Sequence, residues 1–543
     1  MEMLWMVLAV ALAAEDPPAS ARFVDVTEKA GIRFTHENGA FGKKYLPETM
    51  GSGCAFFDFD SDGDQDILLV NGTSWPGAAA AKRTTSALYR NLGNGTFEDA
   101  TRGSGFDRAI YGMGVAIADY DSDGDPDVYI TALGPNLLLR NDGGGKFTDV
   151  TAAAGVGDEG FGASATWLDY DNDADLDLFV LNYVEWSRET DIYCSLDGKT
   201  KAYCTPESYN GASPLLYRNE GGGKFENVTK ASGLENPRGK GLGVAVLDFD
   251  GDGHLDLAVA NDTQPNNLYK NDGKGAFTDV GVLAGIAFSE SGVARGAMGI
   301  DAADYDGSGR PSLVIGNFSN EMISLYHNEG RGFFIDAAPI SEVGRASLLT
   351  LAFGAFFFDF DLDGFLDIFV ANGHVENDIQ AVQQRVTYAQ PPHLFRNLGQ
   401  GRFQDVVQAA GTELGRPVVA RGAAYGDIDS DGDLDLLVTT NGGRAYLYRN
   451  DLAAPASWIG FQLKGTRSNR DGIGATIRVT SGGKTQTAML ESATGYLSQN
   501  QLPVTFGLGK STTLSKVEVL WPSGKTQTVE SPALGRVNVV EEK

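Results

Sequence analysis

Histidine and cysteine are scarce, at five and three in 543 residues. A zinc centre built from imidazole and thiolate has little to draw on, and a small disulfide-dense scaffold is excluded. The HExxH helix of zinc proteases and the GxSxG elbow of serine hydrolases are both absent. Basic residues number 43 against 72 acidic, a net charge of −29. That balance argues against nucleic acid and anionic membranes as partners. Beyond Ala14 no apolar run is long enough to span a bilayer. GLGKST (Gly507 to Thr512) is no phosphate loop, because Val504 stands where the first glycine is needed.

What the chain has in excess is aspartate, set in seven nine-residue loops. They read DFDSDGDQD (Asp58 to Asp66), DYDSDGDPD (Asp119 to Asp127), DYDNDADLD (Asp169 to Asp177), DFDGDGHLD (Asp248 to Asp256), DYDGSGRPS (Asp304 to Ser312), DFDLDGFLD (Asp359 to Asp367) and DIDSDGDLD (Asp427 to Asp435). Acids at positions 1, 3, 5 and 9, with glycine usually at 6, make an all-oxygen cage for one hard cation. Position 7 can add its backbone carbonyl. Calcium suits such a loop because it takes six to eight oxygens with loose geometry, whereas magnesium demands an octahedron.

The candidate ligands are Asp58, Asp60, Asp62, Asp64 and Asp66 in the first loop, and Asp119, Asp121, Asp123, Asp125 and Asp127 in the second. The third offers Asp169, Asp171, Asp173, Asp175 and Asp177, and the fourth Asp248, Asp250, Asp252, His254 and Asp256. The sixth has Asp359, Asp361, Asp363, Phe365 and Asp367, and the seventh Asp427, Asp429, Asp431, Asp433 and Asp435. Loop five, with Ser308, Arg310 and Ser312, is expected to bind weakly or not at all. Calcium (Ca2+) in the other six would cut the net charge to about −17. The acidity is therefore site chemistry more than a partner signal.

An EF-hand would need glutamate at position 12 and helices on both sides. Here strand sequences follow each loop, such as ILLVN, VYITA and IFVAN. A second motif alternates with the loops: LYRNLGNGTFEDAT, LLRNDGGGKFTDVT, LYRNEGGGKFENVT and their later copies, each a strand, a glycine turn and a strand. One unit thus holds four strands and repeats every 50 to 79 residues, the signature of a propeller blade. The seventh copy stops at LYRND (Leu447 to Asp451), and its missing strand FVDVT stands at Phe23 to Thr27. The expected fold is all-β: a seven-bladed β-propeller over 22–452, closed by its N-terminal strand, then a small all-β domain over 456–543. Five residues before each loop stand Gly53, Gly114, Ser164, Gly243, Gly299, Gly354 and Gly422, small enough for close approach near the channel.

Strand alternation puts the acidic loops on one face and the longest irregular loops on the other. His36, Glu48, Arg295, His374, His393 and Arg421 fall in segments opening there, and are the candidate ligand-binding residues. Cys194 and Cys204 share one loop and are expected to form a disulfide; Cys54 reads as core. Met1 to Ala14 is an apolar leader of signal-peptide length, without the usual positive start, and implies export to a secreted, periplasmic or cell-surface location.

Further motifs carry a family resemblance: FTHENG, LPETMGSG, YCTPESYNG and NGHVEND in the propeller, and SNRDGIGA, GYLSQN, FGLG and WPSG in the tail. The chain resembles the bacterial relatives of cartilage acidic protein, ASPIC/UnbV-domain proteins with FG-GAP (VCBS-like) repeats. The repeats themselves are integrin α-like. The resemblance implies a secreted or surface-exposed, calcium-stabilised propeller with no catalytic residues to carry over. The EGF-like module of vertebrate members is absent, and Thr505 stands where many relatives have histidine. The expected function is binding or adhesion, with a protein or glycan held on the loop-rich face. The alternatives are a polysaccharide lyase or hydrolase using the channel, and a structural surface component.

Overall fold

The computed structural model describes residues 21–78, 83–453 and 456–543; the leader at 1–14 lies outside them. Seven four-stranded antiparallel sheets follow one another along the chain. The first comprises Cys54–Phe57, Asp66–Leu69, Ala87–Asn91 and Phe97–Asp99, from the axis outward. The inner strands of the next five are Gly112–Ala118, Gly162–Leu168, Gly241–Leu247, Ala297–Ala303 and Ala352–Phe358. Each packs on the inner strand of the next blade, and Ala420–Gly426 of the last sheet meets Cys54–Phe57 of the first. The outer strand of that last sheet is Ala21–Asp25, antiparallel to Tyr446–Leu452 with Phe23 opposite Asn450. The ring is a β-propeller, and this pairing gives the seventh sheet its fourth strand and ties the two ends of the ring together.

The second strands are buried at every residue and mostly apolar after their first, because both their faces are covered. Ile67 and Leu69 of the first blade pack with Ala424, Leu437 and Leu447 of the seventh. Leu68 and Val70, pointing the other way, pack with Val115, Ile117 and Val128 of the second. Period-two alternation thus divides each strand between two interblade cores. Each fully buried aliphatic side chain there contributes about 1.5–3 kcal/mol.

A single asparagine fastens each blade to its predecessor. It stands at or near the end of the third strand, in the LYRN motif, at Asn91, Asn141, Asn219, Asn271, Asn328, Asn397 and Asn450. The Asn141 side-chain amide donates to Pro126 O in its own loop and to Phe59 O in the preceding blade's loop. The cross-blade bond recurs from Asn91 to Ile428 O, Asn219 to Tyr120 O, Asn271 to Tyr170 O, Asn328 to Phe249 O, Asn397 to Tyr305 O and Asn450 to Phe360 O. All seven asparagines are buried.

The tail forms a three-stranded sheet (Val504–Gly509, Ser457–Lys464, Val537–Glu541) and a four-stranded one (Lys484–Met489, Thr476–Ser481, Leu514–Leu520, Thr526–Thr528) around its own core. It lies over the acidic-loop face: Asp471 Oδ2 accepts from Asp119 N, Gln501 Oε1 from Asp427 N, and Leu362 O from Gly509 N, each at 2.8 Å. Its segment 494–501 enters the central channel. Gly495 exchanges backbone hydrogen bonds with Ile300, and Gln499 N donates to Cys54 O. Leu497 N donates to Ser164 Oγ, and Tyr496 is fully buried with its hydroxyl on Met50 O. The small inner-strand residues make room for this insertion as well as for each other. A Cβ on Gly53 would sit 2.1 Å from Leu497 O, and one on Gly243 2.3 Å from Met298 O.

Replacing Asn141 by alanine should cost about 2–4 kcal/mol, because two buried carbonyls lose their donor. Equilibrium denaturation measures it; a loss within 0.5 kcal/mol, the range of ordinary surface changes, would show the clamp to be dispensable.

Candidate metal centres

Each acidic loop is wound by its own first aspartate. Asp58 Oδ1 accepts from Asp62 N and Oδ2 from Gly63 N, and Asp119, Asp169, Asp359 and Asp427 repeat the pattern. In the fourth loop Asp248 accepts from Asp252 and Gly253 in the same way. Position 7 donates its N–H to position 5, as from Asp64 to Asp62 and from Phe365 to Asp363. Its side chain is not needed for the winding, which is why histidine and phenylalanine are tolerated there. Position 9 ties the loop to the sheet: Asp66 takes Phe59 N on one oxygen and Asn91 N on the other, and Asp127, Asp177, Asp256, Asp367 and Asp435 do likewise.

This winding gathers carboxylates. Ligand-capable oxygens lie within 4.8 Å of one another in Asp58, Asp60 and Asp62, in Asp119, Asp121 and Asp127, and in Asp169, Asp171 and Asp177. The same holds for Asp248, Asp250 and Asp256, and for Asp359, Asp361 and Asp367. Position 3 supplies the decisive detail. Asp60, Asp171, Asp250, Asp361 and Asp429 each have a buried Oδ1 with no hydrogen-bond partner. Burial, then mutual repulsion, lifts the carboxyls: Asp58 to about 6, Asp119, Asp169 and Asp427 to about 7. Asp66 and Asp256 rise to about 8 and Asp127 and Asp177 to about 9, with burial as the main cause. An all-oxygen donor set with orphaned buried oxygens fits a hard divalent cation and no soft one.

Loop five is built differently. Ser312 replaces the position-9 acid, and its hydroxyl accepts Asn328 N, so the clamp survives without the charge. His327 Nε2 lies 2.8 Å from Asp306 Oδ2, and Arg310 Nε donates to Asn328 O. Side-chain cations thus stand at this loop. Cations from the third strand also reach other loops, Arg90 to Asp60, Lys270 to Asp250 and Arg396 to Asp361.

On the other face, four of the six candidate ligand residues come together, but buried. Arg421 is fully enclosed, its guanidinium 3.9 Å over the Phe353 ring and bonded only to the carbonyls of Thr49, Gly373, Ala420 and His374. Burial lowers its pKa to about 10. Burial, then Arg421, lowers His36 to about 3, and burial lowers His374 to about 4. Glu48 accepts from Trp75 Nε1 and Tyr203 OH, both at 3.1 Å, and burial raises it to about 7. Arg295 and His393 stand apart, paired with Asp336 and Asp405. These side chains brace long loops from inside and present nothing to solvent. Cys194 and Cys204 form a disulfide there, with Cα atoms 5.2 Å apart, and Cys54 is buried.

The sequence reading missed the clamp asparagines, although RN, KN or HN stands at or near the end of the third strand of every repeat. Against known families, the FG-GAP-like repeat matches residues 58–130, 121–180, 195–259, 248–315 and 372–438, more than half the chain. The chain belongs to the FG-GAP repeat proteins. An ASPIC and UnbV domain follows the FG-GAP repeats, at 465–543. Cartilage acidic protein 1 of Xenopus tropicalis is 27% identical over 326 residues, and that of Homo sapiens 25% over 325. These alignments cover 58% and 59% of the chain, which spans just under half the length of both relatives, 46%. Among solved structures, YCF48 bound to D1 peptide matches at TM-score 0.41 and 10% identity, covering 80% of this chain and all of that one. A Bacillus licheniformis rhamnogalacturonan lyase matches at 0.37 and 13%, covering 79% and 75%.

The tight winding of these FG-GAP loops needs left-handed backbone at position 6, where glycine stands in six and Ala174 in one, at φ 76°. Ala174→Gly should therefore stabilise the protein by about 1 kcal/mol. Denaturant titration at fixed calcium checks it, and a destabilised variant would contradict the strain.

Proposed function

We propose that this is an exported, calcium-stabilised scaffold that binds a partner protein on the face opposite its metal loops. The observation that carries the reading is where the exposed apolar side chains lie. Of fourteen large ones among the described residues, ten stand in loops of that face, including Tyr193, Val282, Leu283, Val293 and Ile340. The bias of exposed apolar side chains toward that face is what favours it as the binding side. The braced loops beneath give it a rigid base. A glycan remains a second class of occupant, tested alongside. The polysaccharide-enzyme alternative loses its channel, which segment 494–501 fills.

Export rests on the apolar leader and on a disulfide, which persists in oxidising compartments. No helix among the described residues is long and apolar enough to cross a membrane. Calcium rests on the orphaned oxygens at position 3. At about millimolar calcium and a Kd near 0.1 mM, each site adds roughly 1.4 kcal/mol. Six sites would add about 8 kcal/mol, comparable with a whole domain's stability of about 5–15 kcal/mol.

Removing calcium with EDTA should accordingly lower the melting temperature by more than ten degrees, with recovery on adding calcium back. An unchanged melt refutes metal stabilisation. For the binding face, the mature protein is screened on glycan arrays and against extracellular proteins. Binding of any hit should fall at least tenfold in a Leu283→Asp/Ile340→Asp variant that melts normally. Hits that survive this variant, or no hit in either screen, would defeat the assignment.

A further inference from the structure

Between the acidic-loop face and the tail domain lies a cavity of about 470 Å3, within the range of small-molecule sites. Asp301, Phe357 and Tyr425 of the propeller line one side, and Met489, Glu491 and Val504 of the tail the other. It therefore exists only when the tail is docked.

Asp248, Asp250, Asp252, Asp304 and Asp359 of the acidic loops also line it; the carboxylates outside those loops differ in their surroundings. Asp301 is satisfied, accepting from Thr494 Oγ1 at 2.5 Å, Phe357 N at 2.7 Å and Ala302 N at 2.9 Å. Glu491 is not: its Oε2 is shut off from solvent without a hydrogen-bond partner, and no ion pair reaches it among the described residues. Burial, then the Asp301 charge, holds the Glu491 carboxyl well above the usual range. Glu491 is half-buried, with one oxygen cut off from water, and a carboxyl so placed is charged only when a cation stands beside it. The lining arginines do not relieve it: Arg310 is engaged on Asn328 O, and Arg331 and Arg478 are exposed at the rim. Tyr425, against Phe358 at 5.9 Å and Phe356 at 5.3 Å between ring centres, adds an aromatic wall.

We propose that this cavity binds a small organic cation, an ammonium group on a short apolar body, with Glu491 as its counter-ion. The ammonium meets the unpartnered carboxylate beside the Tyr425 ring, which attracts cations through its π-face. The apolar body lies along Met489 and Val504. An anion would face Glu491 and Asp301 together, and a neutral ligand would leave the Glu491 carboxyl without the charge partner that an ammonium supplies. A bare metal ion needs several free oxygens; the acidic loops offer them, whereas beside Glu491 those of Asp301 are already engaged. The inference stands on the cavity alone, so failure of partner binding on the other face does not touch it.

The test is ligand-observed NMR titration of the full chain, in saturating calcium, with n-butylammonium, n-butanol and butyrate. Butylammonium should bind at least tenfold more tightly than the other two. Glu491→Gln should weaken it at least tenfold at an unchanged melting temperature. Met489→Trp, which fills the cavity and leaves the charge in place, should weaken it as well. Absent binding, equal binding of butanol, or undiminished binding by both variants overturns the proposal; the last outcome would place the cation on the acidic loops instead.

Discussion

One buried amide per blade, reaching across to its neighbour's loop, is the contact on which the ring depends. The asparagine at or near the end of each third strand bonds a backbone carbonyl next to the first aspartate of the preceding loop. Its own N–H is held by the last residue of its own loop. Any shift of a loop is thereby transmitted to the next blade. Loop five separates the two duties of this arrangement. Ser312 retains the hydrogen bond and dispenses with the charge, so interblade fastening is kept in all seven sheets and the full acid set in six.

The tail makes the propeller a filled ring. Small inner-strand residues, which suggested only close approach near an axis, have a specific neighbour in the backbone of 494–501. The axis is occupied, and the tail covers part of the acidic-loop face, at Asp119, Leu362 and Asp427. Small molecules have a different opening, the crevice between tail and blades.

Much of this was legible beforehand because repeats speak seven times. The acidic loop, the LYRN hairpin and the strand runs each carry local signals, and FVDVT at the start supplies what the last copy lacks. The same logic did not extend to residues that occur once. His36, Glu48, His374 and Arg421 stood in segments opening on the loop-rich face, and their chemistry suggested a ligand. They are buried instead, because long loops over a ring need internal hydrogen-bond partners for their own backbone carbonyls, and Arg421 supplies four such contacts. GYLSQN identified the tail family without hinting that it would lie inside the blades. Nothing local distinguishes a surface turn from an inserted one; the distinction rests on contacts more than 300 residues away.

That distance has a consequence for biosynthesis. Ala21–Asp25 waits for Tyr446–Leu452 before the circle can shut, and the stopper for its hole is made later still. A released chain ending near residue 480 would hold every blade yet expose a bare glycine-lined bore, with unanswered peptide groups facing water. Filling of the ring is thus deferred until segment 494–501 has been made, and a chain cut short before it would leave the bore open.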